Sequence, residues 1–145
     1  MKKIEIDTFL KFRFLSNPHF SPDGTKIAFT VSVPDREANG YLSDLYLYDL
    51  GKKAVSRVTC GGDAKIWSWT AENTLIFTAA RTAALKKEKE NGTSFFYEIS
   101  PSGGEASCRA SIPASVTGIR LLPDGRYLLT IRHDNYKDTR KKSYE

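Results

Sequence analysis

Cysteine is scarce. Cys60 and Cys108 are the only two among 145 residues, and neither has a second cysteine or a histidine at metal-ligand spacing. A disulfide framework and a zinc site are excluded on that count, and both thiols read as small apolar fillers in a reducing compartment. Long hydrophobic runs are missing too. No stretch approaches the roughly 20 apolar residues of a membrane span. The opening Met1-Lys2-Lys3-Ile4-Glu5-Ile6-Asp7 lacks the apolar core of a signal peptide. The expectation is a soluble cytoplasmic protein with no membrane partner. Charge of one sign is not massed anywhere. The net charge is +5, but Lys and Arg are scattered, so no nucleic-acid partner is expected. Nothing in the spacing calls for a cofactor or a metal.

What is present suits β structure. Apolar residues make up 40%, charged residues 27% and aromatics 12%, a globular balance rich in strand formers. The chain is organised around Ser21-Pro22-Asp23-Gly24, a tight turn leading into the strand Lys26 to Val33. Proline pre-sets φ, aspartate bonds its own backbone and glycine takes a positive φ. Leu122-Pro123-Asp124-Gly125 repeats the turn. Thr70-Ala71-Glu72-Asn73 is a worn copy, with Asn73 at the glycine position. Asparagine is among the few other residues that tolerate positive φ.

Taken in order, Thr8 to Leu15 fits either a short helix or an extended segment, and Asn17-Pro18 ends it as a helix. In the strand Lys26 to Val33, Ile27, Phe29 and Val31 share one side and Ala28, Thr30 and Ser32 the other; Pro34-Asp35 stops it. Asn39-Gly40 signals a hairpin. Further strands are read at Asp44–Leu50, Ala54–Thr59, Ala64–Trp69, Thr74–Ala80, Phe95–Ile99, Ser107–Ile112, Val116–Leu122 and Arg126–Arg132. Arg81 to Glu90 reads as a long charged connection, and 133–145 as a polar tail with no face to bury.

The punctuation recurs. Gly24 to Asn73 is 49 residues, and Gly40 to Gly92, Gly51 to Gly103 and Asn73 to Gly125 are each 52. On that spacing Leu45 matches Tyr97 and Leu47 matches Ile99, so the same face stays apolar. Four short antiparallel strands per period of about fifty residues is the mark of a β-propeller blade. The fold expected is all-β: a partial propeller with about two and a half four-stranded antiparallel blades. The divisions expected are a lead-in at 1–15, blades at 16–62 and 63–114, an incomplete blade at 115–132, and 133–145 as tail or continuation. A ring needs about four to eight blades, so the expectation is that this is a piece of a longer propeller.

Few residues suggest chemistry. His19 and His133 are the only histidines, and no Gly-x-Ser-x-Gly nucleophile elbow accompanies them. Asp23 and Asp124 are explained as turn formers. Asp35, Asp44 and Asp49 make no calcium-loop pattern. Gly61-Gly62-Asp63 is too short to cradle a phosphate. Asn91-Gly92-Thr93 fits a glycosylation acceptor, which a cytoplasmic protein would not use. Trp67 and Trp69 could stack a ligand, but packing between blades explains them as well. No catalytic, cofactor-binding or metal-binding residue is assigned.

The run from Phe14 through Ser21-Pro22-Asp23-Gly24 to Phe29, followed by Ser43-Asp44-Leu45-Tyr46-Leu47-Tyr48-Asp49, resembles the start of the propeller in the prolyl oligopeptidase family of serine peptidases. The acylaminoacyl-peptidase branch is the most similar, and the resemblance covers most of residues 8–132. Periplasmic Tol-B-type propellers share the Ser-Pro-Asp-Gly repeat. The peptidase resemblance implies a C-terminal α/β-hydrolase domain and the rest of the propeller as partners, and short peptides as substrates of the whole enzyme. It implies scaffold and substrate gating, without catalysis, for this segment. The alternative is a non-enzymatic propeller that binds a protein or peptide.

Overall fold

The computed structural model describes residues 6–37 and 39–133. Residues 1–5 of the expected lead-in at 1–15, and 134–145 of the expected tail at 133–145, lie outside the described residues. A first antiparallel sheet is formed by β1 (Phe14–Phe20), β2 (Lys26–Asp35), β3 (Gly40–Asp49) and β4 (Ala54–Arg57), in that spatial order. A second has the same topology: β5 (Trp67–Trp69), β6 (Leu75–Thr78), β7 (Ser94–Ile99) and β8 (Ser107–Ile112). A third pairs β9 (Ser115–Leu121) with β10 (Tyr127–Arg132). The fold is all-β and is a partial propeller. One apolar core, centred on Leu45, Leu75 and Phe77, fills the space between the first two sheets.

The three tight turns agree in how they are built. Gly24, Asn73 and Gly125 all sit at positive φ, +69°, +60° and +83°, and each donates its N–H to the residue three before it. In the first turn Asp23 Oδ1 also accepts from the Ser21 hydroxyl and from the N–H and hydroxyl of Thr25. These bonds pull the Asp23 carboxyl down from 3.8 to about 2. Asn73 does more than tolerate its φ: its side-chain oxygen accepts from Asp23 N–H at 3.1 Å, joining the first two turns.

The turns differ by one residue, and this overturns the expected facing. The first closes from Ser21 N–H to the Lys26 carbonyl, the second from Thr70 to Thr74 and the third from Leu122 to Arg126. Losing one residue in the second turn moves every following side chain to the other face, because strand side chains alternate. Ile27 and Phe29 therefore correspond to Leu75 and Phe77, and Tyr46 and Tyr48 to Tyr97 and Ile99. The expected match of Leu45 with Tyr97 and Leu47 with Ile99 is wrong by one position. The two sheets meet front to back. Ala28, Thr30, Leu45 and Leu47 on the front of the first sheet pack on Trp67, Trp69, Leu75, Phe77, Tyr97 and Ile99 on the back of the second.

Other details depart from the sequence reading. Residues Ile6–Lys11 form a short 3-10 turn and Phe14 already starts β1, so both readings of the segment hold in part. The chain passes Asn17-Pro18 without leaving β1, through a bulge between Ser16 and His19 with Asn17 at φ +52°. Pro34 does not stop β2. The β1 partner ends at Ser32, so no ladder bond is asked of the missing Pro34 N–H. The charged connection holds a helix, α1 (Ala83–Glu90), capped by Thr82 accepting from Leu85 N–H; none of its residues is buried. At Asn39-Gly40 the positive φ falls on Asn39, and in the turn after Gly51 it falls on Lys53. Cys60 and Cys108 are exposed, not core fillers; Cys108 lies on β8, the outer edge of its sheet.

Candidate functional site: a groove between the leading strands

Each sheet has one strand that leads it in sequence and is paired on one side only: β1, β5 and β9. These three converge on a single groove of about 490 Å³. In a propeller the corresponding strands surround the central channel.

Its floor is aromatic and fixed. Trp67 and Trp69 project from the same side of β5 and are both buried. The Trp67 indole donates to Thr30 Oγ1 at 2.9 Å, and the Trp69 indole donates to the His19 carbonyl at 3.2 Å. Both N–H groups are thus satisfied by the first sheet, which is how a buried tryptophan avoids a desolvation penalty. Ser68, between them, points the other way and accepts from Leu121 N–H on β9 at 3.3 Å. One three-residue strand so ties all three sheets together. The tryptophans are packing residues whose edges reach the groove.

His19 lies on the groove wall, with its ring edge-on to Trp67 at 5.5 Å and Nδ1 3.2 Å from the Asn17 carbonyl oxygen. Among the described residues no serine hydroxyl or carboxylate is brought to it. His133 is exposed just past β10. The carboxylates do structural work. Asp44 is buried and accepts from Arg57 at 2.6 Å, from the Thr59 hydroxyl at 3.0 Å and from Gly62 N–H at 3.0 Å. Asp63 Oδ2 accepts from Ala80 N–H at 2.7 Å. Gly62 has φ +74°, and a Cβ there would meet Leu42 Cδ2 at 2.9 Å; the Gly61-Gly62 pair serves close packing of the linker on β3. Asp49 and Asp124 accept from their own turns and are held below the usual carboxylate range by those bonds. Asp35 accepts from Glu37 N–H beside the hairpin. Asn91 closes α1, and Gly92 carries a positive φ. Among the described residues no three His, Cys, Asp or Glu side chains could hold a metal, and no helix is long and apolar enough to cross a membrane.

The groove has one feature that residue-by-residue reading missed. Lys65, just before β5, and Arg120, on β9, line it and are exposed. Among the described residues neither enters an ion pair. Among the described residues no carboxylate lines the groove with them.

No family model matches the chain. A curated relative, the uncharacterized peptidase YuxL of Bacillus subtilis, is 27% identical over 155 aligned positions, which cover 100% of this chain and 22% of YuxL. An acylaminoacyl peptidase solved in complex with Z-Gly-Gly-Phe-chloromethyl ketone superposes with a TM-score of 0.64 at 18% identity, covering 89% of this chain and 19% of that one. The chain has the fold of part of a β-propeller. The β-propeller domain of the Trilobed protease from Pyrococcus furiosus, which has an open velcro topology, superposes with a TM-score of 0.59 at 16% identity, over 83% of this chain and 34% of that one. This propeller segment thus spans about a fifth of the length of its curated relative.

Proposed function

We propose that this chain is the N-terminal part of the propeller of a cytoplasmic serine peptidase acting on short peptides, with blades at 16–62, 63–114 and 115–132. It supplies scaffold and a gate to the active site, and no chemistry of its own. The observation that carries this reading is the back of the first sheet. Phe20, Ile27, Phe29, Tyr46 and Tyr48 occupy positions whose counterparts in the second sheet are packed against a preceding sheet. Phe20 is 64% exposed, while its counterpart Trp69 is 5% exposed. A sheet with that apolar back fits a ring in which another blade lies behind it. The similarity to peptidase propellers supports a hydrolase domain as the further partner.

The test is hydrolysis of an N-acylated short peptide by the purified 145-residue chain and by the product of the reading frame extended past Glu145. The expectation is activity in the longer product, abolished by replacing an elbow serine, and none in the shorter chain. Activity that travels with the 145-residue chain overturns the scaffold reading. A longer product with further blades and no elbow serine favours the alternative, a Tol-B-type binding propeller.

A further inference from the structure

We propose that the groove between β1, β5 and β9 is a binding site for peptide segments that carry carboxylates, with Lys65 and Arg120 as the groups that select them. The inference deepens the peptidase-propeller reading, on which it rests for the groove being part of a channel. Lys65, just before β5, and Arg120, on β9, are 55 positions apart in sequence, and the fold brings them to one cavity. Both are exposed, and among the described residues neither is neutralised by an acidic neighbour. Asp23 keeps its negative charge while accepting from Ser21 and Thr25, and among the described residues it forms no ion pair with either cation. Two cations with no ion-pair partner among the described residues give the groove a positive potential, which concentrates anionic ligands.

The remaining walls fit a peptide better than a nucleic acid. The floor is the tryptophan pair, with Ile119 and Leu121 beside it, which suits apolar side chains between acidic ones. The volume of about 490 Å³ holds a few residues and is well short of a duplex groove. The three strands are each paired on one side only, so an extended chain lying along them finds backbone partners. Two cations suffice to recognise carboxylates. A phosphodiester tract is usually held by a longer row of them.

The experiment is calorimetric titration of the 145-residue chain with an N-acetylated hexapeptide alternating Glu and Ala, and with its Gln-for-Glu analogue. The expected result is binding of the acidic peptide about tenfold tighter than the analogue, weakening as salt rises. Lys65→Gln combined with Arg120→Gln is expected to remove the preference. Lys65→Glu combined with Arg120→Glu is expected to shift it to an alternating Lys and Ala peptide. Both positions are exposed, and unchanged circular dichroism checks that the variants fold. Equal binding of the acidic peptide and its uncharged analogue, no binding of either, or a preference that survives the Lys65→Gln and Arg120→Gln double variant overturns the proposal. A six-nucleotide oligothymidine bound more tightly than the acidic peptide also overturns it, in favour of a general polyanion site. Binding is read without turnover, so the two readings fail separately. Charge-selective binding in a longer product that hydrolyses nothing removes the peptidase reading alone. Hydrolysis with no charge preference removes this one alone.

Discussion

The first and second sheets have one topology and very different surroundings. Phe77 is 1% exposed in β6, while its counterpart Phe29 in β2 is only half-buried. Tyr97 and Ile99 are buried in β7, while Tyr46 and Tyr48 are half-buried in β3. Leu15 and Val55, on the same back face as Phe29, are largely exposed. The strands are similar; what lies behind them is not. Side-chain burial in a repeat array is a property of the neighbouring repeat as much as of the sequence itself.

The comparison is broken or sharpened most strongly at the matched pair Trp69 and Phe20. Trp69→Ala is expected to cost about 3–5 kcal/mol, from lost burial plus a cavity. Phe20→Ala is expected to cost under about 1 kcal/mol, because that ring is already mostly in water. Urea unfolding midpoints of the two variants decide it, and equal losses would mean that the first sheet's back is covered in solution. The next effect is at Asp44, whose counterpart in the second sheet is the buried apolar Phe95. Asp44→Ala strands Arg57, Thr59 and the Gly62 N–H, and a loss of about 2 kcal/mol is expected. A loss below about 0.5 kcal/mol by the same measurement would show that the linker is not pinned there.

The turns give a smaller contrast. Gly24 has φ +69° and open space around its missing Cβ, so Gly24→Ala is expected to cost about 1 kcal/mol from backbone conformation alone. Asn73→Ala is expected to cost more, because it adds the loss of the bond to Asp23 N–H. Thermal midpoints in the reverse order would refute the inter-turn role of Asn73. The smallest effect concerns acid. The folded Asp23 carboxyl lies at about 2, below its ordinary 3.8. A depressed value stabilises the fold above the ordinary one, and the contribution is lost as pH falls through about 3.8 towards 2. Glu98, held low by Thr74 and Arg109, behaves the same way below 4.5 in the second sheet. Asp23→Asn is expected to lower stability near neutrality, to leave it unchanged at about pH 2, and so to flatten the profile between pH 4 and pH 2. A profile identical to the parent's would discard this assignment.

Much of the fold was legible because its punctuation is local. Proline, aspartate, glycine and asparagine dictate backbone angles within four residues, so all three turns and the hairpin at Asn39-Gly40 could be placed. The facing of the sheets was not legible. It depends on a one-residue difference between turns closed at Lys26 and at Thr74, which a count of glycine spacings averages away. Helix α1 was missed because no apolar stripe marks it; its one local sign was Thr82 three residues before Leu85. The groove was illegible for a different reason. Lys65 and Arg120 carry no motif, and only the docking of β9 beside β5 brings them together.

The sequence by itself determined the elements: short strands, tight turns, and a repeat of about fifty residues, all set by backbone preference and side-chain alternation over a few neighbours. Tertiary structure alone decided which face of each sheet is core, that Trp67 and Trp69 join sheets by their indole N–H groups, and that two scattered cations share one cavity. Those outcomes depend on contacts between residues some forty to fifty-five positions apart. Such contacts follow from how one sheet stacks on the next, and local chemistry does not encode that stacking.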